Sequence, residues 1–266
     1  MGPNKFLFDD LEAALSHRRV PSPYYVLAET PCPYLPGYWE RKVLTEIRGP
    51  DAAETYNLLS RAGFRRSHHF AYRPACDNCT ACLPVRILAQ DFRPSKSMKR
   101  ILARNRDLAI SVRPAEPTRE QFDVFSRYIK NRHDDGEMAG MNFKDYCAMV
   151  EQSILPTELV EYRDTNDRLV GACLVDCLRD GPSAVYSFFE PDQSQRGLGT
   201  LMVLWLIQKA RDEGRLYVYL GYWIQETPKM SYKIRFRPAE VLRPEGWARI
   251  DSAPEPVKFD GVLAIK

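Results

Sequence analysis

Four thiols are the first residues whose types and spacing can do chemistry. Cys76, Cys79 and Cys82 form Cys-x-x-Cys-x-x-Cys, and Cys32 lies upstream in TPCPYLPG. Four thiolates suit zinc or an iron–sulfur cluster. The same residues also read as reduced, half-buried thiols in a proline-rich loop, and the spacing leaves both readings open. Cys147, Cys173 and Cys177 fall in apolar helix or strand patterns and read as core. Seven cysteines is an odd number, and the first residues lack the charged, apolar, small-residue order of an export signal. A secreted disulfide framework is therefore not expected, and the expected compartment is the cytoplasm.

Charge offers a second chemistry. Arg93, Lys96, Lys99, Arg100, Arg104 and Arg106 follow one another with no acidic residue between them, as do four arginines and two histidines from Arg61 to Arg73. Net charge is only +3, so these blocks stand out as either solvated faces or contacts for a phosphate backbone. No RRM, KH, zinc-finger or helix-turn-helix signature accompanies them, which argues against sequence-specific DNA reading. Aromatic residues form a third cluster, YVYLGYWI from Tyr217 to Ile224, around Gly221. By strand alternation Tyr219 shares a face with Tyr217, and Tyr222 lies on the other. No Ser-His-Asp or metal-hydrolase pattern appears. His133, in NRHDDGEM, reads as a cap or a base, and the glycine-containing loop after it as a candidate lid.

The elements that must position these groups follow from periodicity. With 266 residues and 44% hydrophobic content the chain can bury a large core, and no apolar run reaches the roughly 20 residues a membrane-spanning helix needs. Residues 1–95 read as a small irregular Cys-containing basic domain with one helix, from Asp51 to Ala62. Residues 96–250 read as β-α-α-β-β-β-loop-α-β with a basic helix in front, and residues 251–266 as a tail. Thr118 with Gln121 forms a capping box, Asn142 caps a second helix, and TELVEYR, RLVGACLVDCL and SAVYSFFE follow in hairpin order. A loop, QSQRGLGT, then leads into the helix TLMVLWLIQKARDEG and the strand LYVYLGY, a parallel crossover that makes the sheet mixed.

This order resembles the Gcn5-related N-acetyltransferase (GNAT) superfamily, so the expected class is α+β with a GNAT-like mixed sheet. In that superfamily the loop before the central helix presents N–H groups to a phosphate-bearing donor. Ser194 stands where the superfamily has Gln or Arg, which weakens coenzyme A as the donor. An RNA carrying an activated acyl group satisfies both the fold and the basic blocks.

FRRSHHFAYRPACDNCTACLPVRI, SKSMKRILARNRDL, DGPSAVYSFFEPDQSQRGLGT, YVYLGYWI and MSYKIRFRPAE together resemble the bacterial branch of the arginyl-tRNA-protein transferase family, the aspartate/glutamate leucyltransferases. The resemblance implies an aminoacyl-tRNA donor, an acceptor protein beginning with Asp or Glu, an N-degron as product, and no cofactor required for transfer. It favours leucine over arginine; an acetyl-CoA-dependent acetyltransferase and a non-catalytic tRNA-binding or metal-sensing module are the alternatives. Asp176 is the candidate to orient or deprotonate the incoming amine, or else an edge carboxylate facing water, and Tyr219 joins it as a catalytic candidate. Tyr222 and Trp223 are candidates for substrate contact, Trp223 by stacking on the terminal adenosine, worth roughly 1–3 kcal/mol. Arg73, Lys233, Arg235 and Arg237 are candidates to pair with the acceptor carboxylate, the last three pointing one way on an extended segment. Lys96, Lys99, Arg100, Arg104, Arg196, Gly197 and Gly199 are candidates for tRNA contact.

Overall fold

Alternating apolar residues, turn signals and helix caps place the elements largely where the periodicity predicts. The structure is a computed structural model that describes residues 23–132 and 137–250; His133, the start of the loop after it and the tail from residue 251 lie outside the described residues. The first strands are β1 (Tyr24–Val26), β2 (Thr30–Pro31), β3 (Trp39–Glu40) and β4 (Lys42–Glu46), followed by helix α1 (Ala52–Arg61). Then come β5 (Arg65–Ser67), β6 (Phe70–Pro74), β7 (Leu83–Leu88), the basic helix α2 (Lys96–Arg104) and β8 (Ala109–Pro114). Helices α3 (Arg119–Arg132) and α4 (Phe143–Glu151) precede β9 (Thr157–Arg163), β10 (Leu169–Leu178) and β11 (Gly181–Phe189). The chain continues through α5 (Leu198–Asp212), β12 (Tyr217–Trp223), the one-turn α6 (Pro228–Ser231), β13 (Ala239–Arg243) and β14 (Gly246–Arg249).

Local chemistry explains the helix starts. Thr118 Oγ1 accepts from Gln121 N while Gln121 Oε1 accepts from Thr118 N, a complete capping box before α3. Asn142 and Asp145 do the same for α4. Ser95 Oγ accepts from Met98 N and caps α2.

A mixed eight-stranded sheet carries the molecule, in the order β14-β13-β7-β12-β11-β10-β9-β8, with only β11 and β12 parallel. The fold is α+β. β7 lies before residue 95 yet sits between β13 and β12, so the large sheet crosses the boundary expected from composition. α5 buries Leu201, Met202, Leu204, Leu206, Ile207 and Ala210 against the sheet. Each large apolar side chain so buried contributes about 1.5–3 kcal/mol. α3 and α4 cover another part of it through Phe125, Tyr146 and Phe188. A four-stranded sheet, β1-β4-β6-β5, packs with α1 on the ends of β10 and β12 through Ile47, Tyr56, Ala71, Leu178 and Tyr219, and β2 and β3 pair only with each other.

The two sheets are pinned by a buried ion pair. Arg66 of β5 donates through Nε and Nη2 to the two oxygens of Asp176 on β10, both at 2.8 Å, and Thr157 Oγ1 donates to Asp176 Oδ1 at 2.9 Å. Both side chains are fully buried. Removing one partner of such a pair strands a charge in the interior, whereas replacing both with apolar residues need not. Arg66→Met is expected to lower unfolding free energy in urea by about 3–5 kcal/mol, and Arg66→Met with Asp176→Leu to recover much of it. A single-variant loss below about 1 kcal/mol would show that the pair does not hold the sheets together.

Candidate functional site

The site begins where the sheet fails to close. β11 and β12 share a register at Ser183↔Tyr219, and a bulge sits beside that point on each strand. On β11, Leu174 pairs with Tyr186 and Val175 with Ala184, which leaves Val185 as the extra residue. On β12, Tyr219 pairs with Arg86 and Tyr222 with Pro84, so three steps oppose two on β7. Gly221 has φ +77°, the left-handed conformation that such a bulge assigns to glycine. Past the bulges, Ala184 to Ser187 are half-buried although β11 is a central strand. The sheet opens there into a cleft.

Arg65 of β5 fills the apex of the cleft. Its Nη1 donates to Ser183 Oγ at 2.9 Å and its Nη2 to the Ala184 carbonyl, which a continuing ladder would offer to β12. A Cβ added to Gly221 would lie 3.1 Å from Arg65 Nε, so a side chain there would crowd the guanidinium as well as strain the backbone. Lys233 stands nearby, in the 3₁₀ turn Tyr232–Arg235, and is 7% exposed. Its Nζ donates to the Tyr222 carbonyl at 2.5 Å and lies 3.1 Å from Met230 Sδ. Burial, and then the charge of Arg65, lower its pKa from the usual lysine range to about 7. Among the described residues neither cation makes an ion pair; both rest on neutral groups. A buried lysine and a half-buried arginine that make no ion pair among the described residues create a field suited to an anion.

Aromatic residues stand beside them. Tyr186 of β11 packs edge-on against Phe125, and Tyr128 against Phe189. Burial raises the hydroxyl pKa of Tyr128, Tyr186 and Tyr232, and Arg132 partly offsets this at each.

The structure disperses several of the predicted site residues. Asp176 is neither a water-facing edge carboxylate nor open to an incoming amine, because it is 0% exposed and its oxygens are taken by Arg66 and Thr157. Tyr219 donates to Asp180 at 3.0 Å and packs on Tyr217 and Trp247. The Gly221 bulge brings Tyr222 to the same side as Tyr219, against the alternation, and its hydroxyl donates to the Gly63 carbonyl at 3.0 Å. Trp223 is 3% exposed, lies in the main core and donates to the Ser231 carbonyl, so its ring presents no open face for a base. Arg73 is exposed on the small sheet and donates to the Ala62 carbonyl. Lys233, Arg235 and Arg237 do not share one extended segment: the 3₁₀ turn separates them, with Lys233 inside and Arg235 and Arg237 exposed.

The tRNA set divides as well. Lys96, Lys99 and Arg100 are exposed on α2 and make no ion pair among the described residues. Arg104 donates to the Gln195 carbonyl. Arg196 is held by Asp107 at 3.0 and 2.8 Å, and that hydrogen bonding keeps the Asp107 carboxyl below its usual range. Gly197 is the left-handed N-cap of α5 and Gly199 lies in its first turn. A Cβ on Gly197 would come 3.2 Å from Ile101, so α2 lies against the loop that would cradle a pyrophosphate in an acetyltransferase.

Three arginines of the Arg61–Arg73 block have partners within the fold, though only Arg66 is buried: Arg61 pairs with Asp180, Arg66 with Asp176, and Arg65 spans the cleft. Burial first, then Cys79, Cys32 and Cys76, raise the Cys82 pKa to about 12, so the four thiols are neighbours. Among the described residues, however, no three His, Cys, Asp or Glu side chains are arranged to hold a metal ion, and the zinc or iron–sulfur expectation gains no support.

Lys233 yields a pH signature. An unfolded lysine titrates near 10.4, so between about pH 7 and about pH 10 the unfolded chain binds a proton that the folded chain lacks, and stability rises with pH. Below that window both states are protonated and the cost of the buried cation is fully present. The excess stability of Lys233→Met over the wild type, followed by Tm, should therefore shrink from about pH 6 to about pH 9. A constant difference would show that Lys233 titrates normally.

The chain is similar in sequence to known proteins along most of its length. The profiles described as arginine-tRNA-protein transferase, N terminus and C terminus, match residues 30–100 and 120–243. The aspartate/glutamate leucyltransferase of Paramagnetospirillum magneticum is 52% identical over 85% of this chain and 93% of its own length. Its namesake in Nitrobacter hamburgensis is 50% identical over 90% and 96%. Among solved structures, L-PGS from Bacillus licheniformis aligns with a TM-score of 0.44 at 13% identity, over 67% of this chain and 53% of L-PGS, so the chain spans about half the length of that protein. FemX aligns with a TM-score of 0.42 at 9% identity, over 72% and 65%. Identity of about half, sustained along nearly the whole of both chains, places this protein in the arginine-tRNA-protein transferase family, with the bacterial aspartate/glutamate leucyltransferases.

Proposed function

We propose that this chain moves leucine from leucyl-tRNA to the N-terminal amine of proteins that begin with Asp or Glu, in the cytoplasm, and so creates an N-degron. The observation that carries this reading is the identity of about half to relatives of that name over 85–90% of the chain. Among the described residues no helix is long and apolar enough to cross a membrane.

The cleft suits the chemistry. An aminoacyl ester is already activated, and a free α-amine, with a pKa of about 7.7–8.0, is partly neutral near neutral pH. The enzyme then has to align two substrates and stabilise charge rather than form a covalent intermediate. In this reading Arg65 and Lys233 receive the acceptor's side-chain carboxylate, which would give a counter-ion to two cations that make no ion pair among the described residues. An incoming carboxylate would also favour the protonated form of Lys233. The aromatic side chains of Tyr128, Tyr186, Phe189 and Tyr232 suit a leucyl group. The exposed face of Lys96, Lys99 and Arg100 meets the RNA backbone. Asp176 acts through Arg66, holding β5 so that the adjacent Arg65 reaches the cleft.

Labelled leucyl-tRNA and arginyl-tRNA should be offered in competition, with peptides beginning Asp, Glu or Ala. Label is expected from leucyl-tRNA on the Asp and Glu peptides; preferential use of arginine, or equal labelling of the Ala peptide, would overturn the assignment. Lys233→Met should lower kcat/KM for the Asp peptide about ten- to a hundredfold, the cost of one charge-assisted hydrogen bond, while leaving the affinity for tRNA unchanged.

A further inference from the structure

Beside the cleft, on the far side of the segment that carries Lys233, lies a pocket of about 510 Å³, a size common for ligand sites. Its lining includes Ser95 and Ser97 at the start of α2, Ser231 at the end of α6, and Arg235 and Arg237. No acidic side chain lines it among the described residues. We propose that this pocket is a phosphate subsite for the 3′-terminal nucleotides of the donor tRNA, so that Arg235 and Arg237 serve the donor rather than the acceptor carboxylate.

Four observations converge on an anion of this kind. Arg235 and Arg237 are both exposed, and Arg235 makes no ion pair among the described residues. Ser95 Oγ and Ser97 Oγ, which also line the pocket, hydrogen-bond to each other at 2.9 Å and leave one hydroxyl hydrogen of the pair to donate to a phosphate oxygen. The exposed Lys96, Lys99 and Arg100 continue the positive surface away from the pocket along α2, which gives a strand entering it a track of cations. Finally, in a 3₁₀ turn, residues two apart point in different directions. Lys233 therefore faces inward to Tyr222 while Arg235 lines the pocket. A phosphate held by Arg235 thus lies only one short turn of chain from the cleft in which the ester must react.

The inference rests on the proposed use of aminoacyl-tRNA, and the test separates the two. Binding of deacylated tRNA, and of the same tRNA lacking its last three nucleotides, is measured by fluorescence anisotropy over a salt series with the wild type, Arg235→Ala, Arg235→Ala with Arg237→Ala, and Lys99→Ala with Arg100→Ala. The paired arginine variant should bind intact tRNA several-fold more weakly, with a log K against log salt slope shallower by about 0.7 per lost contact. It should bind the truncated tRNA as the wild type does and keep the wild-type KM for the acceptor peptide. If intact tRNA binds the paired variant with wild-type affinity and slope, or if the truncated tRNA is penalised equally, the subsite is wrong. If the wild type binds no tRNA, the parent reading fails instead. Weakening by the Lys99 and Arg100 variant alone would keep the parent reading and discard the pocket.

Discussion

Two consecutive arginines on one short strand determine how the rest of the molecule fits together. Arg66 turns into a fully buried pair with Asp176, and Arg65 reaches across the apex of the cleft to Ser183 and Ala184. The first fixes the small sheet on the large one; the second keeps the parallel strands from zipping further. An ion pair of this depth contributes little net stability, because desolvating both charges offsets most of their attraction. Its contribution is positional: with Asp176 engaged, β5 has one register in which to dock, and Arg65 can arrive only at the apex.

The cleft is costly in the same currency that makes it useful. A sheet interrupted by two bulges gives up ladder hydrogen bonds, and Lys233 gives up hydration for a carbonyl and a thioether. Folding of the well-packed α5 face and of the aromatic cluster under α3 and α4 must offset these losses. Local destabilisation concentrated at a functional site is the usual relation between stability and activity.

What the sequence reveals and what it hides divides along contact range. Capping boxes at Thr118 and Asn142, the hairpin strands and the crossover helix are written in neighbouring residues and were readable there. Gly221 was readable as a point of backbone freedom, but its consequence was not: the bulge reverses the face of Tyr222, so alternation counted straight through it assigns the wrong side. Val185 leaves no local mark at all. The Arg61–Arg73 block looked like an RNA-binding surface because its counter-charges, Asp176 and Asp180, lie more than a hundred residues away. Lys233 was picked out as functional for its charge, whereas its burial follows from a 3₁₀ turn where a basic strand was expected.

The parts of the cleft are scattered through the chain: Arg65, Ser183 and Ala184, Gly221, then Lys233. Such separations make loop closure slow and late. During synthesis the β9–β10–β11 meander can form as soon as it emerges, but β7 must wait for β12 and β13 before it gains either neighbour. Lys233 emerges between those two strands, so the pair of unmatched cations comes together only as the sheet's last central positions are filled. A nascent chain is thereby spared the unfavourable electrostatics of its own site until the packing that offsets them is in place.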